Sequence, residues 1–214
     1  RVVGEKGMGH VAIKRLGNVC KIISNPRPYS GREPSTSMNK TIVATINWND
    51  FEGYLDNIQN VGTTLNLAVQ IGHGTIRSCV LGMESRAPDR DEMTNMKALI
   101  SQSIESGAMG FSTGLFYAPG SYARLEEVIE LASVAAEHGV IYSTHMRDEG
   151  TQNIGLMVAV NEAIEVGRRT GIKVEISHVK CKGPAVWGMA GDILDLMERS
   201  RGDGIEVAGA QYPY

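Results

Sequence analysis

The chain has 214 residues, 42% of them hydrophobic, and a formal net charge of -3. That is enough apolar material for one sizeable core, and the charge leaves no basic footprint for nucleic acid. No apolar run approaches the roughly 18 residues that a membrane span needs, and Arg1-Val-Val-Gly-Glu-Lys6 lacks the apolar core of a secretory leader.

Residues 1–47 are expected to form an irregular segment. Three of the seven prolines fall between residues 25 and 37, which reads as a long surface excursion. From residue 48 onward the pattern alternates. Residues 49–60 read as a helix with Phe51, Tyr54, Leu55 and Ile58 on one face. Residues 65–71 read as a strand, and Gly72-His-Gly-Thr-Ile-Arg77 as a glycine-rich loop, with His73 equally a turn residue and a strand-end residue. Asp89, with Glu92 three residues on, carries a capping-box pattern for a helix that runs to Glu105 and stops at Gly107.

A short strand over residues 108–112 follows, then a loop over residues 113–120. Ser121 is expected to cap a helix bearing Leu125, Val128, Ile129, Leu131 and Ala132, closed by Gly139. Next come a strand ending at His145, a helix over residues 153–169 closed by Gly171, and a strand ending at His178. A helix near residues 190–200 and a strand over residues 205–208 complete the pattern. The strands are mostly apolar, as expected of a parallel sheet covered on both faces.

This predicts an α/β fold of about five β/α units over residues 48–214. An open doubly wound sheet and a (β/α)8 barrel both fit. Gly4-Glu-Lys-Gly7-Met-Gly9 lacks the dinucleotide-binding spacing, and five units with both ends looking cut suit the middle of an eight-unit barrel. The odd count of three cysteines, Cys20, Cys79 and Cys181, points to a reducing, cytoplasmic setting.

His145 and His178 carry the chemistry. A lone histidine at a strand end is more often a hydrogen-bonded core residue than a ligand. These two, however, stand 33 residues apart, the length of one strand-plus-helix repeat. Both therefore fall at the C-terminal ends of neighbouring strands, where α/β folds build their sites, and two imidazoles there can converge on one metal ion. If His178 points into a site, Lys180 is near enough to meet an anionic group; from position alone a solvated lysine is the favoured reading. Arg147 and Glu149 read either as outer partners of the site or as a polar loop. Gly110-Phe-Ser112-Thr-Gly114 matches a nucleophile-elbow string, but Leu115-Phe-Tyr-Ala-Pro-Gly120 breaks the helix that an elbow requires.

Five strings occur together and in order: Gly72-His-Gly-Thr-Ile-Arg77, Gly107-Ala-Met-Gly-Phe-Ser-Thr-Gly-Leu-Phe-Tyr-Ala-Pro-Gly120, Tyr142-Ser-Thr-His-Met-Arg-Asp-Glu149, Glu175-Ile-Ser-His-Val-Lys180 and Gln211-Tyr-Pro-Tyr214. Through them the chain resembles the D-aminoacylases, the N-acyl-D-amino-acid deacylases of the amidohydrolase superfamily, from about Trp48 to the end. The resemblance implies a zinc-dependent TIM-type barrel that hydrolyses the amide of a small N-acyl-D-amino acid. It implies that His145 and His178 are metal ligands, that Lys180 pairs with the substrate carboxylate, and that Tyr117 and Tyr212 line the substrate site.

The family's Gly-Asn-Cys-Gly segment carries a cysteine that bridges the metal positions. Here it corresponds to Gly17-Asn-Val-Cys20-Lys21, with an extra residue and no following glycine. The family's His-x-His on the first barrel strand is absent, since His10 does not supply it. Ala210 stands where the family has Asp, and the family's general-base Asp would fall beyond Tyr214. The chain is therefore expected to be an internal part of such an enzyme and inactive alone. The alternatives are a related amidohydrolase acting on cyclic amides, of the hydantoinase or dihydropyrimidinase type, and a non-catalytic barrel remnant.

Overall fold

The structure, a computed structural model, describes residues 48–212 in full and residues 10–16 and 19–25 by their backbone alone. The chain divides into two compact units, residues 1–68 and residues 69–214. In the first, β1 (His10–Leu16) and β2 (Val19–Asn25) pair antiparallel, with Leu16 opposite Val19 and His10 opposite Asn25. The expected helix also forms there, as α1 (Phe51–Val61). Asp50 caps it by accepting from the Gly53 N–H at 2.8 Å, and Trp48 and Phe51 pack their rings on Tyr54.

The second unit runs β3 (Ile71–Gly72), α2 (His73–Val80), α3 (Arg90–Glu105), β4 (Gly110–Gly114), α4 (Leu125–Glu137), β5 (Ile141–His145), α5 (Leu156–Thr170), β6 (Lys173–Ile176), α6 (Ala190–Gly202) and β7 (Val207–Gly209). All five strands are parallel, and their order across the sheet is β3-β4-β5-β6-β7. A doubly wound sheet reverses its strand order at a switch point, and this sheet does not. An unbroken consecutive order is what successive units of a barrel produce.

The register separates two faces. Phe111, Tyr142, Val174 and Val207 are directly opposite one another along the sheet, and all are buried. Helices cover that face. Gly167 of α5 comes so close that a Cβ there would stand 2.7 Å from a Val174 methyl. The other row is Ser112, Ser143, Glu175 and Ala208. Gln70 donates to the Ser143 hydroxyl at 3.0 Å, and the Ser177 hydroxyl donates to Glu175 at 2.7 Å. The expected two-sided apolar cover therefore holds for the helix face only. Because side chains alternate along a strand, His145 falls on the polar face with Ser143.

Five local expectations differ from the structure. The strand over residues 65–71 shortens to Ile71–Gly72, and the presumed glycine loop after it is α2, starting at His73. Long-range bonds from His73 and Arg77 to Glu127 hold that helix against its weak glycine-bearing start. Ser121 does not cap α4: it sits in a single 3-10 turn, its carbonyl accepts from Arg147, and Arg124 takes the cap position without a side-chain bond. The helix expected from residue 153 begins at Leu156, because the Asp148 carboxylate takes the N–H groups of Gly150, Asn153 and Gly155 and keeps that stretch as a loop. His178 lies two residues past the end of β6. The capping box at Asp89 and Glu92 forms as expected. Among the described residues, no helix is long and apolar enough to cross a membrane.

Candidate metal centre

His145 and His178 meet at the C-terminal edge of the sheet. His145 Nδ1 and His178 Nε2 are 2.9 Å apart, and the rings stand edge to face with centroids 4.6 Å apart. β5 delivers His145 as its last residue. The chain after β6 delivers His178 differently, with a left-handed backbone at φ 43°. A non-glycine residue there is uncommon and carries a conformational cost, which is tolerated where the surroundings fix it. The surroundings do so: the Ser177 N–H donates to the Thr144 carbonyl at 3.0 Å and the Val179 N–H to the Ala210 carbonyl at 2.8 Å.

The loop after β5 supplies a third polar group. Glu149 has a side chain 7% exposed, and its Oε1 lies 2.5 Å from Lys180 Nζ and 3.2 Å from His178 Nδ1. Donor atoms of His145, Glu149 and His178 all lie within 4.8 Å of one another. The loop is built to hold this carboxylate. Asp148 beneath it is 1% exposed and accepts three backbone N–H bonds of 2.6–2.9 Å. Burial works to raise the Asp148 pKa, but those backbone donors outweigh it and hold the carboxyl below its ordinary value. Arg147, on the other side, makes a fork-like pair with Glu162 of α5 at 2.9–3.1 Å. The loops after β5 and β6 are also stitched directly, the Lys182 N–H donating to the Glu149 carbonyl at 2.8 Å.

Aromatic rings line the cluster. Tyr117, in the loop after β4, has its ring centroid 5.0 Å from that of His145, and Phe116 stands 6.1 Å away. Tyr212, past β7, stacks on His178 at 5.7 Å with a 23° interplanar angle. Lys180 Nζ sits 5.5 Å over the Tyr212 ring and donates to the His178 carbonyl at 2.9 Å. The structure thus brings five of the six sequence-derived site residues together: His145, His178, Lys180, Tyr117 and Tyr212. The Cys20 side chain lies outside the described residues.

Burial pushes the His145 pKa down to about 4, with the Glu149 charge opposing and those of His178, Lys180 and Lys182 adding to the fall. A neutral imidazole is the form that binds metal. Burial, and then the Glu149 charge, raise the Tyr117 hydroxyl above its ordinary value. Two nitrogens that each bind one zinc at about 2.0–2.1 Å must lie within about 4 Å of each other. The histidine pair meets that condition, and imidazole nitrogens suit zinc.

Sequence reading did not find one buried polar network. His73 and Arg77 are fully buried and both bind Glu127 of α4, His73 Nε2 at 2.8 Å and Arg77 Nη1 at 2.6 Å to each oxygen. The available signal was Glu127 itself, a carboxylate on the same helical stripe as Leu131 and Ala135. Ser112, the elbow candidate, lies inside β4, and turn residues rather than a helix follow that strand.

No protein-family model matches the chain. An N-acyl-D-glutamate deacylase from Alcaligenes xylosoxydans xylosoxydans is 36% identical over 165 residues, covering 77% of this chain and 33% of that protein. A D-aminoacylase from the same organism is 37% identical over 164 residues, again 77% of this chain and 33% of that protein. The crystal structure of an N-acyl-D-glutamate deacylase from Bordetella bronchiseptica, complexed with zinc and a phosphonate mimic of the tetrahedral intermediate, superposes with a TM-score of 0.73 at 35% identity. The match covers 78% of this chain and 35% of that one. The parallel sheet with its helices matches part of an amidohydrolase TIM barrel. The chain spans about a third of the length of the curated relatives it matches. It belongs to the D-aminoacylase family of amidohydrolases.

Proposed function

We propose, on the premise of that family membership, that this chain carries the metal-holding and carboxylate-holding residues of a zinc-dependent enzyme that hydrolyses the amide of N-acyl-D-amino acids. The observation that carries the reading is the convergence of His145 Nδ1 and His178 Nε2 to 2.9 Å at adjacent strand ends, with Lys180 beside them. His145 and His178 would hold the zinc. Bound zinc polarises a carbonyl and lowers the pKa of a water toward about 7.

The chain's own residues do the rest. Lys180 offers an ammonium to the substrate carboxylate, which fixes the direction of the scissile amide relative to the histidines. Tyr117 and Tyr212, on opposite sides of the histidine pair, wall the site with aromatic surface. Among the described residues, Glu149 is the carboxylate of the cluster, and it is engaged by Lys180. Following the family resemblance, we assign the general base to an aspartate outside the described residues, and hydrolysis to a site that includes it.

Metal analysis of the purified chain tests the reading. Wild type is expected to retain zinc after dialysis, and His145→Ala and His178→Ala each to lose it. A wild-type chain without zinc, or variants that keep it, would overturn the assignment. The chain alone is expected to release no D-methionine from N-acetyl-D-methionine. Zinc-dependent release by this chain would refute the placement of the general base.

A further inference from the structure

Two lysines follow β6, and their surroundings differ. Lys180 spends its ammonium inside the cluster, with Glu149 Oε1 at 2.5 Å, the His178 carbonyl at 2.9 Å and His178 Nδ1 at 3.0 Å. Lys182, two residues on, has no such set, and its Nζ lies 5.4 Å from the centroid of the Phe116 ring. Lys97, Lys173 and Lys180 pair with Glu130, Glu206 and Glu149, but among the described residues no carboxylate pairs with Lys182.

Phe116 belongs to the aromatic wall of the metal centre. Its centroid is 6.1 Å from that of His145 and 5.2 Å from that of Tyr117. The two lysines therefore flank the histidine pair. Lys180 stands over Tyr212, past β7, and Lys182 over Phe116, past β4. Their Cα atoms are at most about 7 Å apart, and each ammonium rides on a flexible four-carbon stem, so one small molecule can reach both.

The backbone of Lys182 is fixed while its head is not. Its N–H donates to the Glu149 carbonyl at 2.8 Å, and its own carbonyl packs on the Gly150 backbone. The side chain is exposed. A cation over a ring face at an exposed site is held weakly, so it can turn to an anion at small cost. The α-carboxylate of an N-acyl-D-amino acid goes to Lys180. A substrate with a neutral side chain then leaves Lys182 without a counterion, and one with a second carboxylate supplies it. Charge complementarity of this kind gives selectivity.

We propose that Lys182 is a specificity-determining residue that takes the side-chain carboxylate of the substrate, so that the site favours N-acyl derivatives of acidic D-amino acids over neutral ones. The proposal rests on the reading of Lys180 as the partner of the α-carboxylate.

Binding to the whole chain in zinc-containing buffer tests it. N-acetyl-D-glutamate and N-acetyl-D-glutamine match in size and differ in side-chain charge, and their affinities can be read from chemical-shift titrations of 15N-labelled protein. Wild type is expected to favour the glutamate ligand by about 2- to 5-fold at low salt, the range of an exposed ion pair. That preference should shrink at about 0.5 M sodium chloride, which screens the pair. The bonds that fix residue 182 are made by its backbone, so Lys182→Met should fold as wild type does. It is expected to lose the preference with its affinity for the glutamine ligand unchanged, while Lys182→Arg keeps the preference. Lys180→Met should weaken both ligands alike.

A wild type without the preference would overturn the proposal. So would a preference that ignores salt, a Lys182→Met chain that retains it, or one in which both ligands weaken alike. If Lys180→Met alters neither affinity, the role given to Lys180 in the proposed function fails, while a preference lost in Lys182→Met alone still supports the assignment of Lys182. A wild type that binds neither ligand would overturn both readings.

Discussion

The Arg77–Glu127 pair is the place where a single atom-level change should cost the most stability. Arg77 is fully buried, and its Nη1 lies 2.6 Å from both oxygens of Glu127. Its Nη2 donates to the carbonyls of Glu84 and Arg86, so the guanidinium also pins the chain between α2 and α3. Glu127→Ala removes the only charge that balances this cation within the network and leaves both Nη1 and His73 Nε2 without an acceptor. Breaking a buried pair from one side costs about 3–5 kcal/mol. Glu127→Gln keeps an acceptor and loses the charge, and about 1.5–3 kcal/mol is expected from a charge-assisted bond weakened to a neutral one. Arg77→Met with Glu127→Leu removes both charges, and such replacements are near neutral when they pack well. Urea unfolding followed by circular dichroism gives all three values. A Glu127→Ala loss under about 1 kcal/mol, or a double variant as unstable as Glu127→Ala, would refute the argument that the buried charge, rather than the packing, sets the cost.

Two further outcomes follow from the same structure. A Cβ on Gly150 would stand 2.5 Å from the Lys182 carbonyl oxygen, backbone that cannot swing away, so Gly150→Ala should part the loops after β5 and β6; about 1–3 kcal/mol of stability and a measurable share of zinc affinity should go together. The acid limb of stability follows from Glu127 and Asp148. Burial works to raise both pKa values, but His73 and Arg77 for Glu127, and backbone donors for Asp148, hold them below their ordinary values of 4.5 and 3.8. A carboxyl depressed on folding contributes fully above its unfolded value and loses that contribution as pH falls through its folded value. The Tm should therefore hold down to the ordinary carboxylate range and then fall, and Asp148→Asn should show a shallower fall. An unchanged acid slope in Asp148→Asn would contradict the role given to its three N–H bonds.

What was legible in the sequence was what local rules govern. The Asp89–Glu92 box, and Gly107, Gly139 and Gly171 at positive φ after α3, α4 and α5, mark helix ends where expected. The histidine pair was legible because one β/α repeat separates its members; strand parity alone does not bring them together, since Thr144 is opposite Ile176, and the left-handed backbone at His178 is what differs there. What escaped was set by partners distant in the chain. α2 looked like a loop because two glycines flank His73, and the bonds that hold it come from Glu127, 54 residues away. Glu149 could be read either as an outer partner of the site or as part of a polar loop, because its run of charged residues has no period to decide between them. Its partner Lys180 is 31 residues on and reaches it only because β5 and β6 are neighbours.

The site is assembled from consecutive strand ends, and this makes it depend on register more than on any one loop. Tyr117 follows β4, His145 ends β5, His178 and Lys180 follow β6, and Tyr212 follows β7. Each reaches the cluster because Gly114 is opposite His145 and Thr144 is opposite Ile176. Side chains alternate with period two, so a slip of one residue in β5 would carry His145 to the face that holds Tyr142 and Val174 and bury a polar ring against helices. The packing that prevents this is on the other side of the sheet, in the stacked rings of Phe111 and Tyr142 and in the close seat of α5 at Gly167. The apolar face thus fixes the register, and the register fixes which imidazoles meet.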